Sequence, residues 1–215
     1  MAEPAGARDA ILARVRAALA DHPRPPAVTR DYIREPESDL DVVELFAERA
    51  GDYQATVEVL AQPEVAAAIG RSLRSRGARR VVVPPGFPER WLDGALETGA
   101  PEFEWLRDDP PLGVADLDAA DAVVTGAALA IALTGTIVLD AGEGQGRRAL
   151  SLLPDLHVCV VEADQIAANV PAAIERLVPS RPQTWISGPS ATSDIELNRV
   201  EGVHGPRNLH IIVAR

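Results

Sequence analysis

The most restrictive feature of the sequence is the alternation of short apolar runs with helical segments. The run "ATVEVL" (55–60) is followed by a helical pattern from Pro63 to Arg76 and then by the apolar run in "RRVVVPPG" (79–86). Short apolar runs on either side of a helix that begins with proline are typical of a crossover unit in a mostly parallel sheet. The pattern therefore predicts the α/β fold class.

Further strands and one more helix follow the same alternation. The strands are predicted at 102–106, 121–126, 136–140, 157–163, 184–187 and 209–214, and the helix runs from Gln165 to Leu177. A chain of 215 residues with 47% apolar side chains can bury a sizeable core. We expect a three-layer α/β domain over residues 51–215.

The first 50 residues have a different character. Apolar residues at helical spacing between Asp9 and Asp21 predict one helix, the proline-rich segment 22–38 predicts a linker, and Asp39 to Glu48 predicts a second helix. We interpret residues 1–50 as a helical arm and linker that packs on the domain or on a partner.

Composition excludes several classes of protein. The longest apolar run (127–139) is shorter than the roughly 20 residues of a membrane span, and the N-terminus lacks the continuous apolar core of a secretory signal. A net charge of −11 repels nucleic acid. The single cysteine, Cys159, excludes an internal disulfide and any cysteine-built zinc or iron–sulfur site. We expect a cytoplasmic protein with no cofactor or metal of its own.

One basic segment departs from the acidic composition. The stretch "RSLRSRGARR" (71–80) contains five arginines. It is either the solvated end of a helix, where cations complement the helix dipole, or a docking patch for a partner.

Glycine-rich turns after strands are natural ligand sites in an open α/β sheet. The segment "VVVPPGFP" (81–88) is interpreted as a rigid loop wall, because its prolines lack donors. In "LTGTIVLDAGEGQGRR" (133–148), Thr134 and Gly135 form a tight turn, and the glycines that follow match no standard nucleotide motif. That loop is either a mobile cover over an anion site or a plain surface loop.

The connection before the last strand, "SGPSATSDIELNRVEGVHGPRNLH" (187–210), is crowded with polar residues and glycines. Ser193 and Glu196 fit a helix capping box. Capping does not explain Ser190, Thr192 and Asp194, which we regard as candidate ligand or catalytic residues.

Three histidines have different expected roles. His204 lies on a loop between Gly202 and Gly205 and is the candidate acid or base. His210 alternates into the last strand as a core residue, and His157 begins a strand whose edge could face the same loops. Cys159 alternates with His157 and is expected to be a buried thiol.

The relation between the two ends of this connection stays open at this point. If the last strand ran parallel to 184–187 in one sheet, the Gly188 loop and the His204 loop would lie at opposite edges. They can then share a site only if the last strand is antiparallel or if a short helix over 194–200 tucks under the sheet.

Four motifs resemble a known family. They are "ALTGTIVL", "RALSLLPDLHVCVV", "GPSATSDIE" and "GVHGPRNLHIIV", and the match around them covers about residue 121 to the C-terminus. They resemble the lactate utilization protein C family, the LUD-domain proteins. The resemblance implies a Rossmann-like three-layer sandwich similar to the NagB/RpiA/CoA-transferase fold. It also implies work beside two iron–sulfur partner proteins in the oxidation of L-lactate to pyruvate.

The resemblance also bears on individual residues. The family's first motif usually has glutamate before T-G-T, where this chain has Leu133, so covalent acyl chemistry at that position is not expected. We take His204 and Asp194 as candidate catalytic residues. The candidate ligand-binding residues are Thr134, Gly135, Gly188, Ser190, Thr192, Glu196 and Gly205.

Three functional hypotheses follow. The first is a LUD-domain subunit of an L-lactate oxidation system that binds a small anionic or carboxylate ligand. The second is a non-catalytic assembly or regulatory subunit that docks through the N-terminal arm and the basic segment. The third is a transferase or ligase of the CoA-transferase type.

Overall fold

The computed structural model describes residues 6–22, 24, 26–33, 41–96, 102–192, 200–202 and 204–215, with the backbone alone at residues 192, 200 and 201. The chain divides into two compact units between Tyr32 and Ile33. The first unit contains helix α1 (Ala7–Ala18), which has no buried residue. Helix α2 (Val42–Asp52), which the sequence pattern grouped with the arm, lies in the second unit.

The described part of the second unit contains twelve strands. They are β1 (Thr56–Leu60), β2 (Arg80–Val83), β3 (Glu104–Arg107), β4 (Ala122–Gly126), β5 (Leu129–Ile131), β6 (Thr136–Leu139), β7 (Leu156–Glu162), β8 (Ile166–Ala167), β9 (Thr184–Ile186), β10 (Ala191–Thr192), β11 (Val200–Glu201) and β12 (Asn208–Ala214). Its further helices are α3 (Val65–Ser75), α4 (Glu89–Asp93), α5 (Val114–Asp118) and α6 (Val170–Arg176).

A six-stranded parallel sheet forms the centre of this unit. Its order is β1-β12-β7-β4-β2-β3, and every adjacent pair is parallel. Helices α3 and α4 cover one face, where Ile69, Leu73 and Trp91 pack against Val124 and Val158. Burial of such apolar faces supplies the main stabilisation of the layers. The predicted mostly parallel three-layer α/β domain is confirmed.

The opposite face of the central sheet is covered by α2 and by a second sheet. Phe46 and Ala50 of α2 pack with Ile137 of β6 against Cys159 and Ile211. Helix α2 begins where the Asp41 carboxylate accepts a hydrogen bond from the Val43 amide at 2.8 Å, a typical N-cap. Val43, Leu45, Phe46 and Ala50 of α2 are therefore core residues of the α/β unit.

The second sheet was not predicted. Its order is β8-β5-β6-β9, with β5–β6 and β6–β9 antiparallel. The sequence left open how residues 184–187 relate to the last strand, and the structure places them in different sheets, because β9 pairs with β6 in this second sheet. Only residues 132–135 separate β5 from β6, which is too short for a parallel crossover and favours an antiparallel pair.

The helix predicted from Gln165 to Leu177 is shorter than expected. Residues Ile166 and Ala167 pair with β5, and α6 begins only at Val170. The Asn169 side chain caps the helix by accepting a hydrogen bond from the Ala172 amide at 3.0 Å, and Pro171 occupies the first turn. The cap residue decides the start of this helix. Within the described residues, no helix is long and apolar enough to cross a membrane.

Candidate functional site

A cavity of about 240 Å³ lies between the amino ends of β7 and β12 and the segment that follows β9. Its polar lining comes from Arg148, Ser151, His157, Ser187, Ser190 and His204. Its apolar wall includes Ile186, Pro206 and Leu209. It therefore combines a polar side with a small apolar side, as small-molecule sites usually do.

His157 forms the buried floor of the cavity. The side chain comes from the second residue of β7, and the residue is 1% exposed. Its Nε2 lies 2.8 Å from Thr125 Oγ1. Burial, with a smaller contribution from the charge of Arg148, lowers the pKa of His157 to about 4. The imidazole is therefore neutral at physiological pH.

Arg148 supplies the positive charge of the cavity. It begins a 3₁₀ turn (Arg148–Ser151), and its guanidinium donates hydrogen bonds to the Ser151 carbonyl at 3.0 Å and to Ser151 Oγ at 2.9 Å. Within the described part of the chain, Arg148 makes no ion pair with a carboxylate. A guanidinium that is held in place without a counter-ion is suited to bind an anion.

The two ends of the last connection meet at this cavity. Ser190 Oγ accepts a hydrogen bond from the His204 amide at 3.0 Å. The Ser190 amide donates to the Pro206 carbonyl at 2.9 Å, and the Gly202 amide donates to the Ser190 carbonyl at 2.9 Å. The antiparallel pair β10–β11 continues this contact. Because β9 and β12 lie in different sheets, the Gly188 and His204 loops converge.

The remaining candidates from this connection have different positions. Gly188 and Gly205 line the cavity, and Gly188 also lies against the backbone of Tyr53, with a positive φ of 78°. Thr192 lies in β10, where the structure describes the backbone alone. Asp194 and Glu196 lie outside the described residues, as does Ser193. Val200, the last residue of the predicted short helix, lies in strand β11.

Thr134 and Gly135 do not line the cavity. Thr134 Oγ1 lies 2.7 Å from Thr136 Oγ1, which in turn lies 2.8 Å from Ser187 Oγ. Gly135 lies against the backbone of Arg49 in α2. This turn therefore contacts the cavity only through a chain of hydroxyls that ends at Ser187.

The glycine-rich loop (141–147) enters the crevice at the carboxyl ends of β2 and β4 and lines a further cavity of about 450 Å³ there. Gly144 donates its amide to the Pro85 carbonyl at 2.9 Å, and its carbonyl accepts from the Gly126 amide at 2.8 Å. The order of strands reverses between β2 and β4, and ligands of open α/β sheets usually bind at such a point. The glycine-rich loop therefore narrows the usual ligand position, and the cavity that contains His157 lies at the opposite edge of the sheet.

The loop is anchored beside this crevice. Arg147 donates two hydrogen bonds, each 2.9 Å long, to the carboxylate of Asp108. Burial opposes ionisation of Asp108, but the bonds from Arg147 and from the Leu112 amide outweigh it and lower the pKa of the carboxyl. Arg147 thus forms a structural ion pair, while its neighbour Arg148 lines the cavity.

The arginines of the basic segment also make internal contacts. Arg71 pairs with Glu58 at 3.0 Å, and Arg80 pairs with Glu104 at 3.3 Å. Arg74 lies 5.8 Å above the ring of Phe103 and donates to the Ala95 carbonyl. Because these arginines have partners within the chain, the contacts agree better with a solvated helix end than with a docking patch for a partner.

Sequence reasoning missed several lining residues. Arg148 and Ser151 stand in the motif "RALSLLPDLHVCVV" and were not assigned a role, although His157 in the same motif was noted. The signal was the motif itself, which places an arginine and a histidine nine positions apart. Nothing in the sequence indicated that Ser187 lines the cavity, because its position depends on the pairing of β9 in the second sheet.

Three further observations concern the chemistry of the site. Leu133 is 48% exposed and does not line the cavity, so the position at which the family usually has glutamate lies outside it. Cys159 is buried, and burial raises the pKa of its thiol to about 12. In the part of the chain that the structure describes, no group of three His, Cys, Asp or Glu side chains is arranged to hold a metal ion.

Comparison with known families gives one domain match. Residues 115–214 match the LUD domain. The matched range contains all the described lining residues of the cavity.

Similar proteins extend the likeness beyond that domain. A lactate utilization protein C from Deinococcus radiodurans is 48% identical over 194 residues, covering 88% of this chain and 87% of the relative. A lactate utilization protein C from Geobacillus kaustophilus is 31% identical over 230 residues, covering 96% and 95%. A crystal structure of a DUF162 family protein from Deinococcus radiodurans matches with a TM-score of 0.69 and 44% identity, over 84% of this chain and all of the other.

Proposed function

The chain belongs to the lactate utilization protein C family, and from that premise we propose that it is a LUD-domain subunit of an L-lactate oxidation system. In this proposal it works beside iron–sulfur partner proteins and binds a small carboxylate in the cavity at the amino ends of β7 and β12. The family supports the role in lactate utilization. The support for the ligand comes from the cavity.

The proposal depends on one observation, which is that the cavity contains both the charged Arg148 and a neutral His157. Since His157 is uncharged at physiological pH, the guanidinium is the cation that a carboxylate would meet. Hydrogen bonds between a guanidinium and a carboxylate are stronger than neutral ones, because both partners are charged. The arrangement favours a monoanion over a neutral ligand.

The rest of the lining is consistent with a short hydroxy acid. The hydroxyls of Ser151, Ser187 and Ser190 offer donors and acceptors around the charged end. Ile186 and Leu209 offer an apolar wall for a methyl group. A cavity of about 240 Å³ has room for a molecule of this size.

His204 is proposed as the proton carrier. Oxidation of lactate to pyruvate removes two electrons and two protons from the substrate. The electrons would pass to acceptors on the partner proteins, which are expected to hold the iron–sulfur clusters. The exposed His204 lies at the rim of the cavity and would pass protons from the substrate to solvent.

Replacing Arg148 with glutamine is expected to weaken binding of L-lactate or pyruvate by about 10-fold to 100-fold, because a charge-assisted hydrogen bond is lost. Isothermal titration calorimetry on the purified chain measures this change. Arg107→Gln is the matched control, since Arg107 pairs with Glu89 on the surface, away from the cavity. Equal affinity in both variants would refute the role of Arg148.

Replacing His204 with alanine is expected to lower lactate-dependent dye reduction about 100-fold in an assay reconstituted with the two iron–sulfur partners, since proton transfer by a positioned side chain contributes at this scale. Binding of lactate by the variant should persist. Full activity of His204→Ala would exclude the catalytic role of this residue. Full activity of the partners without this chain would favour an assembly role.

A further inference from the structure

His157 has a second ring nitrogen that opens into the cavity at the amino ends of β7 and β12. Its Nε2 lies 2.8 Å from Thr125 Oγ1, whereas its Nδ1 has no hydrogen-bond partner among the described residues. Although the residue is only 1% exposed, Nδ1 is not closed off from solvent, and because the ring lines the cavity, this nitrogen faces it. Buried polar groups usually have a partner, so Nδ1 is placed for an atom of a ligand.

The surroundings of the ring decide which nitrogen carries the proton. Thr125 is fully buried in β4, and its hydroxyl has one hydrogen to donate. Burial raises the pKa of the Cys159 thiol and a hydrogen bond from Thr125 opposes that rise, so the Thr125 hydrogen is donated to the sulfur. The Thr125 oxygen then accepts from Nε2 of His157, which leaves a lone pair on Nδ1. The charge of Arg148, in the same cavity, also disfavours a proton on Nδ1.

The imidazole differs in this respect from the hydroxyls of the lining. The hydroxyls of Ser187 and Ser190 rotate, so each can donate or accept and suits ligands of either kind. The His157 ring is held by burial and by Thr125, and a lone pair on Nδ1 can only accept. The guanidinium of Arg148 can only donate. The cavity therefore holds a fixed acceptor together with a cationic donor.

We propose that Nδ1 of His157 accepts a hydrogen bond from the α-hydroxyl of the substrate while Arg148 binds the carboxylate, so that the site selects α-hydroxy acids. This inference rests on the proposed function, because it concerns the same cavity. An α-oxo acid would place an acceptor against the lone pair of Nδ1, and a carboxylate without a hydroxyl would leave that lone pair unpaired. A site built to bond a hydroxyl rejects ligands that lack it, because its own buried polar group is left without a partner.

The test compares L-lactate, propionate and pyruvate, which share a carboxylate and a three-carbon chain. Isothermal titration calorimetry on the full chain, at neutral pH and constant ionic strength, measures the three affinities. We expect the wild-type chain to bind L-lactate at least about tenfold more tightly than propionate or pyruvate, since an unpaired buried acceptor weakens binding on this scale. Arg148→Gln should weaken binding of all three by a similar factor.

Replacing His157 with glutamine removes the acceptor at Nδ1. The glutamine amide can take the place of Nε2 beside Thr125 but has no polar atom at the position of Nδ1. We expect the preference of His157→Gln for L-lactate over propionate to fall below about twofold, with propionate binding as in the wild-type chain. His210→Gln is the matched control and should keep the preference, because His210 is a buried histidine that contacts Ser72 of α3 instead. Circular dichroism spectra check that both variants are folded.

A measurement on the wild-type chain tests the position of the proton without any substitution. Nitrogen NMR chemical shifts of the His157 imidazole at neutral pH should place the proton on Nε2. Addition of L-lactate, but not of propionate, should change the shift of Nδ1. A proton on Nδ1 in the free protein would overturn the proposal.

The outcomes separate this inference from the proposed function. Equal affinities for L-lactate and propionate, both lowered in Arg148→Gln, would overturn the role of His157 and leave the carboxylate site standing. Tighter binding of pyruvate than of L-lactate would also overturn that role, as would an unchanged preference in His157→Gln. If none of the three ligands bound, both the inference and the proposed binding site would be overturned.

Discussion

Replacing Gly135 with alanine is expected to destabilise the protein by about 2–4 kcal/mol. Gly135 has a φ of 59°, in the left-handed region, and lies directly against helix α2. A Cβ at this position would lie 2.4 Å from the Ala50 amide nitrogen and 2.5 Å from the Arg49 carbonyl carbon. Backbone atoms cannot rotate away as a flexible side chain can, so α2 or the β5–β6 connection must shift.

Gly77→Ala is the control for this prediction. Gly77 also has a positive φ, of 68°, but a Cβ there would meet nothing within 4 Å. We expect this variant to lose only about 1 kcal/mol, from the backbone conformation alone. Urea unfolding of the two variants and the wild-type chain measures the difference. Equal losses would show that contact with α2 does not constrain Gly135.

The free energy of unfolding is expected to fall by about 3 kcal/mol between pH 6.5 and pH 4 because of His157 alone. The pKa of His157 is about 4 in the folded protein, against 6.5 for an ordinary histidine. Between these two values the unfolded chain binds the proton and the folded chain does not, so acid favours unfolding. Above pH 6.5 the group is neutral in both states and contributes nothing to the pH dependence.

Comparison with variants isolates this effect. In His157→Gln this contribution is absent. Between pH 6.5 and pH 4 the free energy of unfolding of this variant should therefore fall by about 3 kcal/mol less than that of the wild-type chain. Burial also lowers the pKa of His210, which adds a separate contribution of the same sign in both proteins. His204→Gln is the control, since His204 is exposed. An NMR titration in which the His157 imidazole gains its proton near pH 6.5 would contradict the prediction.

The alternation of strands and helices could be recognised in the sequence because it depends on local periodicity. The runs at 55–60, 157–163 and 209–214 form β1, β7 and β12 close to the predicted positions. The second sheet could not be recognised in the same way. Strand β5 lies inside a continuous apolar run, where periodicity does not separate strand from helix, and the partner of β9 is 45 or more residues away in the chain.

Part of the candidate site could also be predicted, because it depends on residues that are close together in the sequence. Ser190 and His204 stand in one connection, and their hydrogen bond requires only that this connection fold back on itself. His157 and Thr125 lie on adjacent parallel strands, so their contact depends on the register of β4 against β7. The role of Arg148 depends on which neighbouring arginine pairs with Asp108, and the sequence contains no signal for that choice.

The sequence alone determined the α/β class and the family, because each depends on residue types at short spacing. Only the tertiary structure decided which edge of the central sheet holds the cavity. Backbone hydrogen bonds of Gly144 to Pro85 and Gly126 narrow the crevice at the carboxyl ends of β2 and β4. The pairing of β9 with β6 brings Ser187 and the Gly188 loop over the amino ends of β7 and β12. Both contacts join distant segments, so no local pattern encodes them.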